Sequence, residues 1–202
     1  MINDYEHLTL SRFLRIDRVL HTPAEEVDKQ VEIISILSDT PIPDILKLPI
    51  ADYKALARQT AFLGRLCDPD PVGTEAIAVG GFVLVPTTDF TQITTAQYVD
   101  FQTFVKDYPA SMPQILSCFL TPEGKTYNEG YDIKAVQAAV GELTLPHAVG
   151  LVAFFFKRLE ASIADTLNSL TLQARTKTQK ERIATLKAEA MLSRLTGDGS
   201  QA

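Results

Sequence analysis

The sequence predicts a mainly α-helical fold: a helical domain with one small β-hairpin and a long C-terminal helix. Three features point there. Apolar residues recur at three- and four-residue intervals along most of the chain. Helix-capping signals stand in front of several of those runs. The one short stretch dense in Val and Ile, TEAIAVGGFVLVP (74–86), is split by Gly80-Gly81. The expected organisation is a helical domain over residues 1–170, of roughly six or seven helices, and a basic helical or flexible tail over 171–202.

Leu8, Phe13, Leu14, Ile16, Val19 and Leu20 set out a first helix. In TPAEE (22–26), Thr22 is placed to cap, Pro23 to take the first helical position, and Glu25 to close a capping box. Val27, Val31, Ile34 and Leu37 then recur at helical spacing, so this second helix runs to about Leu37. Pro41, Pro43 and Pro49 cut the next segment into turns and one helical turn. Tyr53, Leu56, Leu63 and Leu66 mark one face of a longer helix behind them, and CDPDPVG (67–73) reads as a loop.

Gly80-Gly81 suits the positive φ angles of a tight hairpin turn. Two short strands are marginal in water, so the hairpin has to lie on the helices or pair elsewhere. Pro86 ends the second arm. Thr94 and Gln97 stand at capping-box spacing, and Tyr98, Phe101, Val105 and Tyr108 follow as the packing face of one helix.

Ser111 is placed to cap a helix carrying Ile115, Leu116, Phe119 and Leu120, and Thr121-Pro122-Glu123-Gly124 reads as a turn. Asp132 caps a helix to about Val140, which breaks at Gly141. Thr144-Leu145-Pro146 opens the last and longest helix. Its first half is densely apolar, from Val149 through Phe154, Phe155 and Phe156 to Leu170, as a central core helix would be. Beyond it only Ile183, Leu186 and Ala190 form a thin apolar stripe.

With 46% hydrophobic and 22% charged residues in 202, the chain can bury a real core. Its net charge of −6 is unevenly placed. Arg175, Lys177, Lys180, Arg182, Lys187 and Arg194 face only Glu181 and Glu189 in residues 171–196, so an acidic body carries a basic tail. Those six basic residues are the candidate partner-binding set. Docking on an acidic protein surface, a solvated helix extension and phosphate contact with nucleic acid remain open as uses for the tail.

The sequence offers no catalytic or metal signature, and none of its motifs calls for a cofactor. Cys67 and Cys118 are isolated, and His7, His21 and His147 lack partners at metal-ligand spacing. Gly80-Gly81 is followed by no Lys-Ser/Thr pair, Asp68 and Asp70 lack the further ligands of a calcium loop, and neither Ser111 nor Ser117 sits in a G-x-S-x-G context. MINDYEHLTL is polar and acidic, unlike a signal peptide, and AVGLVAFFF (148–156) is too short to span a membrane. The expectation is a non-enzymatic, cytoplasmic protein.

The order LTLSRFLRI, VDKQVEIISILSD, PIPDILKLPIADYKAL, a hairpin, ITTAQYVDFQTF, PQILSCFLTPEGKTYN and an FFF-bearing helix resembles small proteins of tailed-phage structural modules, of the kind described as tail assembly chaperones. The likeness covers about residues 8 to 160 and is one of pattern and order. It implies a helper that shepherds the aggregation-prone tape measure protein during tail assembly, with a structural virion connector or accessory protein as the alternative. Apart from the resemblance, the basic tail leaves a nucleic-acid-binding regulator as a further alternative. Homo-oligomerisation is compatible with the resemblance, and no functional residue transfers position by position.

Overall fold

In a computed structural model of the protein, residues 1–162 are described. Among them lie eight α-helices and a three-stranded antiparallel sheet, a mainly helical architecture. Backbone contacts divide the chain into Met1–Arg158 and Leu159–Ala202, and the account below concerns the first unit.

Helix α1 (Leu10–Leu20) is capped by Thr9, whose hydroxyl accepts the Arg12 N–H. Helix α2 (Glu26–Ser38) starts without a side-chain cap. Thr22, expected in that role, instead gives its hydroxyl to the Val19 carbonyl at 2.7 Å and closes the end of α1. The preceding helix takes the threonine because the Val19 carbonyl in its last turn, which also accepts the Thr22 N–H at 3.1 Å, lies within reach. At the other end of α2, Asp39 adopts a left-handed conformation (φ 52°) and pairs with Arg12 at 2.5 Å.

Pro41 and Pro49 open α3 (Ile42–Ile45) and α4 (Ile50–Gln59), where their missing N–H groups cost nothing. The helix expected to continue through Leu66 tightens at Thr60 into a 3-10 turn, Thr60–Gly64. The change of period moves the inward position. Phe62 is buried there, while Leu66 is left 93% exposed. Beneath α3 and α4, Val31, Ile34 and Ile45 form a small core that Tyr53, Leu56 and Ala57 cover.

The hairpin forms as expected from β1 (Ile77–Val79) and β2 (Phe82–Pro86), with Gly80 and Gly81 at φ 55° and 80°. It does pair elsewhere. Strand β3 (Leu120–Pro122) aligns antiparallel with β2, Leu84 opposite Pro122 and Pro86 opposite Leu120. Thr121 and Pro122 therefore belong to a strand, and the turn begins only after them. Pro122 sits in an edge strand, where its lack of a donor is tolerated.

Helix α5 (Thr95–Phe104) carries the predicted capping box, with both the Thr94 and the Gln97 hydrogen bonds present. The predicted aromatic packing face is only partly inward: Phe101 is buried, but Tyr98 and Tyr108 are 41% and 48% exposed. The helix ends at Phe104 and a 3-10 turn follows, so the four residues never share one continuous face. Helix α6 (Met112–Phe119) begins after Ser111, whose hydroxyl turns back to the Phe104 carbonyl rather than capping its own helix. Asp132 caps α7 (Ile133–Val140) by accepting the Lys134 N–H, and Gly141 ends it, as the sequence predicts.

The main core gathers around α6 and α8 (residues 145–162). Phe119 is fully buried, with ring centroids of Phe90 and Phe155 at 5.2 Å and Phe101 at 5.3 Å. The starts of α1 and α8 are tied together: Leu10 N–H donates to the Leu143 carbonyl and Leu145 N–H to that of Leu8. The loop 67–73 is a strap rather than a free turn. Asp70 N–H donates to the Pro146 carbonyl at 3.0 Å, and the strap crosses α8 directly over Gly150.

Candidate partner-binding surface

Two open grooves flank the 3-10 turn at Thr60–Gly64, and each combines apolar walls with charged rims. The first, about 480 Å³, lies between the end of α1, the start of α2 and that turn. Leu20, Val27, Ile33 and Leu63 line it. Leu20 is 50% exposed and Val27 65% exposed, so two branched aliphatic side chains meet water on the walls of one concavity. Single exposed apolar residues are ordinary; convergence of several on one groove is less so. Lys29 stiffens the rim by donating to the Leu20 carbonyl at 3.3 Å and to the Glu26 carboxylate at 3.2 Å. Its hydrocarbon stem is largely covered while its ammonium joins the two helices.

The second groove, about 570 Å³, runs between the N-terminal segment, the far side of the same turn and the strap. Tyr5 and Phe62 meet edge to face in it, with centroids 5.1 Å apart. The Tyr5 hydroxyl is held by the Arg65 carbonyl at 2.9 Å and the Leu63 carbonyl at 3.3 Å, which fixes the ring. Burial raises its pKa. Asp4, Glu6, Asp68 and Asp70 stand around this groove against the single basic side chain of Arg65. Asp4 is paired with His7 at 2.7 Å. Asp70 lies 4.0 Å from the His147 ring, whose other nitrogen, Nε2, is buried without a hydrogen-bond partner among the described residues.

The groups capable of covalent or acid–base chemistry are placed differently. Cys118 is fully buried on α6, and burial pushes its thiol up to about 12. A thiol so protonated is a packing group at neutral pH rather than a nucleophile. Tyr127 is also buried; it donates to the Asp100 carboxylate at 2.8 Å, and burial with that hydrogen bond pushes its phenol far upward. The pair ties the loop after β3 to α5. Buried Gln97 gives its Nε2–H to the Cys118 carbonyl at 2.9 Å while its Oε1 accepts the Thr94 N–H at 3.0 Å. These interactions spend polar groups on holding elements together. Among the described residues, no group of three His, Cys, Asp or Glu is placed to hold a metal ion, and no helix is long and apolar enough to cross a membrane.

The six basic residues singled out from the sequence, Arg175, Lys177, Lys180, Arg182, Lys187 and Arg194, lie outside the described residues. The grooves were not legible in the pattern. Leu20 and Val27 read as parts of two separate helical stripes, and Tyr5 lies before any periodic run. Phe62 falls one position away from the predicted face. The legible sign was the negative charge of the body, which the second groove concentrates. Searches of protein-family models, curated proteins and solved structures find no match to this chain.

Proposed function

We propose that this protein is a non-enzymatic protein-binding factor that engages a helical segment of its partner in the groove between α1, α2 and the 3-10 turn. The observation carrying this reading is the convergence of Leu20 and Val27, half or more exposed, on a groove whose floor is Ile33 and Leu63. A helix presenting apolar residues at i, i+3, i+4 and i+7 has the shape and chemistry to fill it. The inert placement of Cys118 and the structural use of Tyr127, Asp100 and Gln97 favour binding over catalysis.

The partner class we propose is the tape measure protein of a phage tail, as the resemblance in segment order implies. By that resemblance such a partner is long and aggregation-prone, and exposed apolar faces are what this groove accepts. The test is co-expression with a tape measure protein. Co-purification and a rise in the soluble fraction of the partner are expected, and both should drop with Val27→Asp. Absence of both effects with the unaltered chain defeats the proposal. Mass spectrometry of purified particles separates a chaperone, which should be absent, from a connector that stays in the virion.

A further inference from the structure

The second groove suits a different occupant from the first. Tyr5, Phe62, Leu66, Pro69 and Pro146 supply its apolar lining, and Leu66 meets water with 93% of its surface free. Its walls are fixed before anything binds. The N-terminal segment is anchored by the Ile2 N–H on the Leu37 carbonyl at 3.0 Å, and the Tyr5 ring is locked through its hydroxyl and against Phe62. On the facing side the Asp70 N–H pins the strap to the Pro146 carbonyl. A groove already shaped loses less entropy on binding than one that has to be ordered.

Its polar groups divide into committed and open ones. Asp4 is taken by His7, and Asp70 lies beside His147. Among the described residues, neither the Glu6 nor the Asp68 carboxylate takes part in any ion pair or side-chain hydrogen bond. Arg65 is the one cation among the described residues lining the groove, against Asp4, Glu6, Asp68 and Asp70.

That excess of negative charge decides the class of occupant. A neutral or acidic segment on the apolar lining would strip water from the carboxylates and put nothing in its place, which costs free energy. Nucleic acid, itself a polyanion, is repelled by the rim. A metal ion gains nothing from the apolar lining, and among the described residues no group of three His, Cys, Asp or Glu is placed to hold one. A segment that brings aliphatic and basic side chains together compensates both surfaces. Arginine does so best, since its planar guanidinium pairs with a carboxylate at its edge and stacks on an aromatic face. We propose that the groove between Tyr5, Phe62 and the 67–73 strap is a second docking site, which receives a short, apolar, arginine-bearing segment of another protein. This site does not depend on the tape measure reading. Its groove and its probe are different, so either reading can fail alone.

The experiment is fluorescence anisotropy of a Leu-Arg-Leu-Arg-Leu peptide, carrying an uncharged dye, titrated with the full-length protein. The peptide should bind, and its affinity should fall by about fivefold or more at about 0.5 M salt, where exposed charge pairs are screened. A citrulline-for-arginine analogue, which loses the charge, and Ser-Arg-Ser-Arg-Ser, which loses the apolar contact, should each bind about fivefold more weakly or worse. Glu6→Gln/Asp68→Asn and Leu66→Ser should weaken the first peptide similarly; all three side chains are exposed, so the fold tolerates the changes. Glu25→Gln/Asp28→Asn makes the same charge change at the start of α2 and should have little effect, as should Val27→Asp in the first groove. No binding of the first peptide overturns the proposal, and so does equal binding of the citrulline analogue. Indifference to Leu66→Ser shows charge attraction alone and overturns it too. Loss with Glu25→Gln/Asp28→Asn or Val27→Asp overturns the choice of groove. Sedimentation of the protein by itself should reveal no self-association that Glu6→Gln/Asp68→Asn abolishes; if it does, a second copy fills the groove and the foreign partner falls.

Discussion

Gln97 shows how much one side chain can hold. Its amide completes the cap of α5 and, through the other atom, satisfies a buried carbonyl at the end of α6. Replacing Gln97 with Ala strips both bonds and strands the Cys118 carbonyl. A loss of about 1–3 kcal/mol is expected from a missing cap and an unsatisfied buried acceptor, read by urea denaturation. Gln97→Glu keeps an acceptor for Thr94 N–H but cannot donate to Cys118, so it should recover only part; full recovery would show that the α6 bond contributes nothing. The cap half of this role was legible from the Thr94–Gln97 spacing. The α6 half was not, because it joins residues that meet only when two helices pack.

His7 and Asp4 carry the pH dependence at this scale. The hydrogen bond between them raises His7 above its ordinary 6.5 and lowers Asp4 below 3.8. The His7 contribution to stability is complete below pH 6.5 and fades as pH rises through the raised folded value; Asp4's is complete above 3.8 and fades as pH falls through its lowered one. The pair thus acts between mildly acid and neutral pH. His7 is exposed and Asp4 partly so, and water screens the pair, so the readout is titration rather than stability. In an NMR titration Asp4→Asn should return His7 towards 6.5. An unmoved His7 would refute the pairing.

Between elements, the strap over α8 is held by a steric requirement at Gly150. A Cβ built there would lie 2.3 Å from the Asp70 carbonyl oxygen and 2.7 Å from Val72 Cγ2. Gly150→Ala should gain about 1 kcal/mol of helix propensity but lose about 1–3 kcal/mol to overpacking. The expected net result is destabilisation, with faster amide exchange at Asp70 as the strap lifts. A more stable variant with a protected Asp70 amide would show that the strap yields at no cost. Proline and glycine in CDPDPVG marked a loop correctly. That a backbone oxygen of this loop rests on a helix is a property of the packing. The same holds for α4, where the spacing of Tyr53, Leu56, Leu63 and Leu66 predicted a longer helix. Nothing in the local pattern announced the 3-10 turn that buries Phe62 and exposes Leu66.

At the scale of the molecule, stability concentrates in the aromatic cluster around Phe119, which joins α6, α5 and α8 with the segment after β2. Phe119→Ala should cost about 3–5 kcal/mol, the usual range for an aromatic ring removed from a full core. The chevron or urea midpoint should shift accordingly. The satellite core of Val31, Ile34 and Ile45 is separate from that ring cluster. A loss under about 1 kcal/mol would mean that the site collapses around the gap.

By itself the sequence determined the helical class, the hairpin with its two glycines, the caps at Thr94 and Asp132, the break at Gly141 and the apolar patch of α6. Each rests on a local rule, in which spacing along the chain fixes spacing on a helix face or φ at a turn. Tertiary structure alone decided that β3 joins the hairpin, that Thr22 and Ser111 bond backward, and that Tyr98 and Tyr108 face water. It also decided that two grooves open beside one 3-10 turn. Those outcomes depend on which groups meet across tens of residues, where a free carbonyl or an unfilled space competes with local preference and wins.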